Sequence, residues 1–188
     1  KRWIAEDETR KEIERFVLGG GSDFIASMRD ALHEWGRLTE NQEAAVRKVM
    51  AREEKREAER TAQTAIARIN ELSASPRPYL LVVHFMDAHD PYLAPAEWRG
   101  TRSAAPGPSI PGFDEDRARY WEEVDYLDSQ LGRVFTALDA TERPYVLMVT
   151  GDHGEHLGEL GMLGHSDELY EPVVRVPFFL AGPGVPQA

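Results

Sequence analysis

Residues 145–180 read YVLMVTGDHGEHLGELGMLGHSDELYEPVVRVPFFL, and this stretch decides the fold. The apolar run Tyr145–Val149 predicts a buried strand that stops at Thr150-Gly151. Asp152 and His153 follow at once. A hard carboxylate beside an imidazole at a strand mouth is suited to holding a divalent metal. The mouth of a parallel strand is also where open α/β sheets place their ligands. The glycines between 151 and 164 let the chain turn tightly around such a site. His165 arrives twelve residues after His153, on the far side of that loop. Residues 175–181 predict the next strand.

Working outward, YLLVVHFMDAHDPY (79–92) opens with a continuous apolar run over 79–84. Such a run predicts a strand buried on both faces. SASPRP (73–78) is a turn before it. Ala58, Ala62, Ala65, Ile66, Ile69 and Leu72 form an apolar stripe at helical spacing. Val124, Leu127, Leu131, Val134 and Leu138 form a second one, on a helix near 118–139. Pro95, Pro106, Pro108 and Pro111 make 93–118 a long loop. Strand–helix–strand order predicts an α/β fold, mostly parallel in its sheet, with flanking helices and right-handed crossovers.

The N-terminal third has a different pattern. Trp3, Ile4, Ile13, Phe16 and Val17 mark an amphipathic helix ending at Gly19-Gly20-Gly21. Phe24, Ile25, Met28, Ala31, Leu32 and Trp35 mark a second, with Gly36 as its stop. Thr39 with Gln42 is a capping box opening a third helix. Charge changes along the chain as well. Residues 1–70 hold 14 basic and 14 acidic side chains; residues 71–188 hold 8 and 19. We therefore expect an all-helical segment, 1–58, ahead of an α/β domain, 59–188.

Composition removes several function classes. The chain has no Cys, which excludes disulfides and thiolate metal sites. The acidic C-terminal part argues against nonspecific nucleic-acid binding there. No apolar run reaches the roughly 18–20 residues of a membrane span. There is no signal-peptide pattern and the first residue is Lys1, so the expectation is a fragment whose compartment is not legible.

The stretches quoted above resemble the sulfatase branch of the alkaline phosphatase superfamily. The resemblance is carried by Asp152-His153-Gly154-Glu155, Leu157-Gly158-Glu159, Gly164-His165, Leu169-Tyr170-Glu171, Arg175-Val176-Pro177 and Gly182-Pro183-Gly184. The Asp-x-His-x-Pro-Tyr step at 87–92 and the helix YWEEVDYLDSQLGRVFTALD (120–139) belong to it. These motifs cover about residues 59–186. The family's nucleophile motif, Cys/Ser-x-Pro-x-Arg, is missing from the chain. Ser73-Ala74-Ser75-Pro76-Arg77 has the wrong spacing for it.

The resemblance implies a metal-dependent hydrolase of sulfate esters. It implies that Asp152 and His153 ligate one divalent metal (Ca²⁺, Mn²⁺, Mg²⁺ or Zn²⁺). It also implies that His89 and His165 hold the oxygens of a small anionic ester and serve as acid–base residues. In the family a formylglycine hydrate attacks the ester, and only the metal- and anion-binding half of those parts is present in this sequence. Asp87 is expected to orient His89 or cap backbone amides, His84 to be structural, and His156 to sit at the pocket rim or in solvent. A phosphonate or phosphodiester hydrolase and a phosphoethanolamine-type transferase of the same superfamily present the same signature. A non-catalytic helical binding protein carrying a degenerate sulfatase-like domain is the reading from another class. An incomplete sheet would leave an open edge, through which the chain could self-associate.

Overall fold

The computed structural model describes residues 13, 17, 23–35, 38–53, 57–89, 92–103, 105–165 and 169–186. Trp3, Ile4, Phe16, the Gly19–Gly21 stop, Gly36 and Asp90 lie outside the described residues.

Among the described residues, four long helices precede the strands: α1 (Asp23–Trp35), α2 (Glu40–Glu53), α3 (Glu57–Ser73) and α4 (Asp114–Asp139). The capping box at the start of α2 forms as its residues dictate. The Thr39 N–H donates to Gln42 Oε1 at 2.8 Å, and the Gln42 N–H donates to Thr39 Oγ1 at 3.3 Å. Ile13, Val17, Ile25, Leu38 and Val46 then bury together as one apolar core. Leu93, from the loop after the 79–89 segment, completes that core.

The second core lies between α3 and α4. Ala62, Ala65 and Ile69 meet Val134, with Ile66 and Leu138 partly buried beside them. The small alanines on α3 let the two helices approach closely, and burying Ile69 is worth roughly 1.5–3 kcal/mol. The stripe at 58–72 is thus a packed face, as its spacing predicts. Leu81, Val83 and Phe85 cover one side of the same core.

The strands depart from expectation. Residues 79–87 are extended but join no ladder among the described residues. Nor is this run buried on both faces: Leu80 is 88 % and Val82 79 % exposed. An apolar run is neutral about what covers each face, and here only the odd-numbered positions find cover. The ladders that form are antiparallel. β1 (Leu147–Thr150) pairs with β4 (Phe178–Ala181), placing Leu147 opposite Ala181 and Thr150 opposite Phe178. β2 (His156–Leu157) pairs with β3 (Leu163–Gly164). The mostly parallel sheet is not seen among the described residues. The physical reason lies in the connection: a parallel crossover needs a dozen or more residues, usually a helix. Among the described residues between β1 and β4 the chain has a hairpin and the one-turn α5 (Glu171–Val174), and it returns antiparallel.

The loop over 92–113 is held by side chains from α4. Arg117 donates to the Pro108 and Pro106 carbonyls at 2.7 and 2.8 Å. Glu122 accepts the Arg102 N–H at 3.1 Å, and Asp125 takes the Arg102 guanidinium in a two-pronged pair at 2.5 and 2.6 Å. Helix α4 is therefore covered twice, by α3 along its apolar stripe and by this loop along a buried polar one. No helix among the described residues is long and apolar enough to cross a membrane.

Candidate functional site

The site forms where three separate stretches converge: the end of the 79–89 segment, the turn after β1, and the residue after β3. The turn after β1 is fixed by close packing. The Gly154 N–H donates to the Val173 carbonyl at 2.6 Å, and a Cβ at 154 would sit 2.0 Å from the Pro172 oxygen. Only glycine fits that gap. It fixes the backbone just after Asp152 and His153 against the 171–174 turn, and the Asp152 side chain is largely exposed.

His153, His165 and His89 come together. The His153 and His165 rings have centroids 3.9 Å apart and are tilted by 31°. His89 meets His165 edge-on at 5.3 Å. Asp152 lies alongside, with Oδ1 3.9 Å from His153 Nε2. All four side chains singled out from sequence are therefore neighbours. His84, expected to be structural, reaches the same edge: its Nε2 is 4.0 Å from Asp152 Oδ2, and it is largely exposed.

Local hydrogen bonds decide what these groups offer. His153 Nδ1 lies 2.9 Å from the Gly154 carbonyl, which can only accept, so Nδ1 carries a hydrogen and Nε2 is the nitrogen whose lone pair a metal would use in the neutral ring. Burial acts to raise the Asp152 carboxyl. Hydrogen bonds from its own and the His153 backbone, with the His153 and His84 rings nearby, outweigh that and hold it below its ordinary value. An ionised carboxylate and an imidazole lone pair are chemically suited to a divalent cation. They are two donors, and among the described residues no group of three His, Asp or Glu side chains is placed to hold a metal.

Two buried carboxylates support the histidines. Glu123 of α4 accepts the His89 N–H at 3.0 Å on one oxygen and the Leu93 N–H at 2.5 Å on the other. Glu155 accepts from His165 Nδ1 at 2.9 Å, and its side chain is 4 % exposed. Both act on the Tyr120 hydroxyl, whose pKa is raised first by burial, then by Glu155 and Glu123. Asp87, expected to orient His89, does not bond to it among the described residues. Its Oδ2 is buried without a partner, and burial raises its carboxyl. The backbone at His89 is held by Glu123 instead. His156 is neither rim nor surface: it is 1 % exposed, packs edge-on to Tyr170 at 6.0 Å, and neither ring nitrogen has a partner among the described residues.

Sequence reasoning missed Glu123 and Glu155 as site residues. The signal for Glu155 was present, since it closes the Asp-His-Gly-Glu step. Glu123 offered none, because one Glu in a charged helix looks like a solvated one.

The family model described as Sulfatase matches residues 3–188, extending N-terminally beyond the stretch covered by the motifs. The uncharacterized sulfatase YidJ of Escherichia coli (strain K12) is 23 % identical over 153 residues, covering 67 % of this chain and 31 % of that protein. The choline-sulfatase of Rhizobium meliloti (strain 1021) is 27 % identical over 143 residues, covering 59 % of this chain and 28 % of its own length. The iduronate 2-sulfatase of Mus musculus is 26 % identical over 164 residues, covering 65 % and 30 % respectively. Among solved structures, yidJ from Bacteroides fragilis superposes with a TM-score of 0.57 at 26 % identity, covering 67 % of this chain and 31 % of that one. The chain spans less than a third of the length of each of these relatives. With the family model matched over nearly all its residues, the chain belongs to the sulfatase family.

Proposed function

We propose that this chain supplies the anion- and metal-binding side of a sulfatase active site acting on sulfate esters. The observation that carries the reading is the meeting of His89, His153 and His165 beside Asp152, with His89 coming from a stretch more than sixty residues earlier in the sequence. His89 and His165 are the residues for the sulfate oxygens: protonated imidazoles stabilise charge there, and either can move a proton to the leaving oxygen. Asp152, through its carboxylate, and His153, through Nε2, are the residues for one divalent metal. When bound, that ion supplies Lewis-acid polarisation of a sulfate oxygen. The relatives named above are sulfatases by name, which favours a sulfate over a phosphoryl substrate. The sequence contains no Cys and no Cys/Ser-x-Pro-x-Arg motif. The attacking group is therefore not among its residues, and the 188-residue chain alone is expected not to turn over aryl sulfates.

Titration calorimetry tests the reading. Mn²⁺ is expected to bind the wild-type chain weakly, and the Asp152→Ala/His153→Ala double variant to lose that binding. His89→Ala and His165→Ala are expected to weaken binding of inorganic sulfate at neutral pH. Equal binding of both probes by wild type and variants would refute the assignment.

A further inference from the structure

We infer that Glu155 is the positioning residue for His165, fixing which ring nitrogen faces the anion. The inference rests on the reading of His165 as an anion-binding residue. The Glu155 carboxylate is almost wholly buried and lies 2.9 Å from His165 Nδ1. A carboxylate oxygen accepts here, so Nδ1 carries the hydrogen and Nε2 is the nitrogen turned to the site, where it donates to an anion when the ring is protonated. The backbone around Glu155 is held on both sides. Gly154 is pinned to the Val173 carbonyl at 2.6 Å, and His156 is buried at 1 % exposure. The ring it holds is the central one, stacked on His153 at 3.9 Å and met by His89 at 5.3 Å. Turning the His165 ring over would therefore disturb both neighbours. A buried carboxylate behind an imidazole is a recurring way to fix tautomer and orientation, and loss of such a partner costs about 10–100-fold in affinity or activity at metal-ligating histidines.

The test is nitrogen-15 NMR of the histidine-labelled 188-residue chain at alkaline pH, where imidazoles are neutral. The wild type is expected to show His165 as the Nδ1–H tautomer, although neutral imidazole in water prefers Nε2–H. Glu155→Gln keeps an accepting oxygen and is expected to keep Nδ1–H. Glu155→Ala is expected to revert to Nε2–H and to weaken inorganic sulfate binding at neutral pH by roughly tenfold. A wild-type His165 in the Nε2–H form, or an unchanged Nδ1–H tautomer in a folded Glu155→Ala chain, would overturn the inference. If Glu155→Ala does not fold, the wild-type and Gln spectra still decide. Sulfate that leaves the His165 signals unmoved, with the Nδ1–H tautomer in place, would overturn the anion-site reading and not the Glu155 contact.

Discussion

Leu81 packs beneath helices α3 and α4, while Leu80, one residue earlier, is 88 % exposed. The same contrast runs through the molecule. On the closed side, Ile69, Val134, Glu122 and Glu123 are buried, and loops are tied to α4 by named hydrogen bonds. On the open side, Val82, Met148, Phe178 and Phe179 all stand more than 60 % exposed along extended backbone. The two sides differ in what lies over their apolar residues. An apolar residue contributes to stability only when something covers it, so the closed side holds the fold and the open side contributes little. Exposed apolar patches of this kind mark surfaces that bind something. Self-association through the exposed strands is our proposal for the isolated chain.

Four substitutions sharpen or break this contrast. Ile69→Ala removes a fully buried side chain from the α3–α4 core and should cost about 2–5 kcal/mol, read by urea denaturation. A cost below about 1 kcal/mol would mean that this core is loosely packed. Glu123→Ala strips the acceptor from two backbone N–H groups, His89 and Leu93, and should cost roughly 1–3 kcal/mol. Amide hydrogen exchange should quicken at those two residues first, and unchanged exchange there would remove Glu123 as the anchor of the loop.

Asp125→Asn, on the loop-facing side of α4, should cost about 1 kcal/mol at neutral pH, less at high salt. The hydrogen bonds from Arg102 depress the folded pKa of Asp125. This contribution is therefore complete above the unfolded carboxyl value, about 4, and is lost as pH falls through the folded value. Stability of wild type and variant should converge at acid pH, and a constant difference across that window would count against the pair. The smallest effect is on the open side. Leu80→Ser should change stability by less than about 0.5 kcal/mol while reducing apparent mass in light scattering. A cost rivalling that of Ile69→Ala would show that the open face is covered in solution.

The parts of the fold legible in sequence are those specified locally. Thr39 and Gln42 form their capping box because both partners lie within four residues. The stripe ending at Leu72 forms a helix face for the same reason. Strand pairing was not legible, because a ladder partner is non-local and an apolar run at 79–84 does not name it. In the site, Asp152, His153, His89 and His165 were recognisable as residue types suited to an anion and a cation. Glu123 was not, since a carboxylate shows its role only once it is known to be buried. His156 misled in the opposite direction: a histidine in a glycine-rich loop is expected near water, and here packing against Tyr170 hides it.

Leu93 ties together parts of the chain that composition separates. Its side chain completes the core of the N-terminal helices, and its N–H is held by the carboxylate that also holds His89. One residue thus serves as a mechanical joint between the helical third and the loop that carries His89. Perturbations on either side of it should not be energetically independent. A change at Val46 and a change at Glu123, far apart in sequence, should show a coupling free energy in a double-mutant cycle, whereas Val46 and the distant Leu80 should simply add. Trimming the helices away would likewise reach His89 through Leu93, so their presence is a condition on the site's geometry.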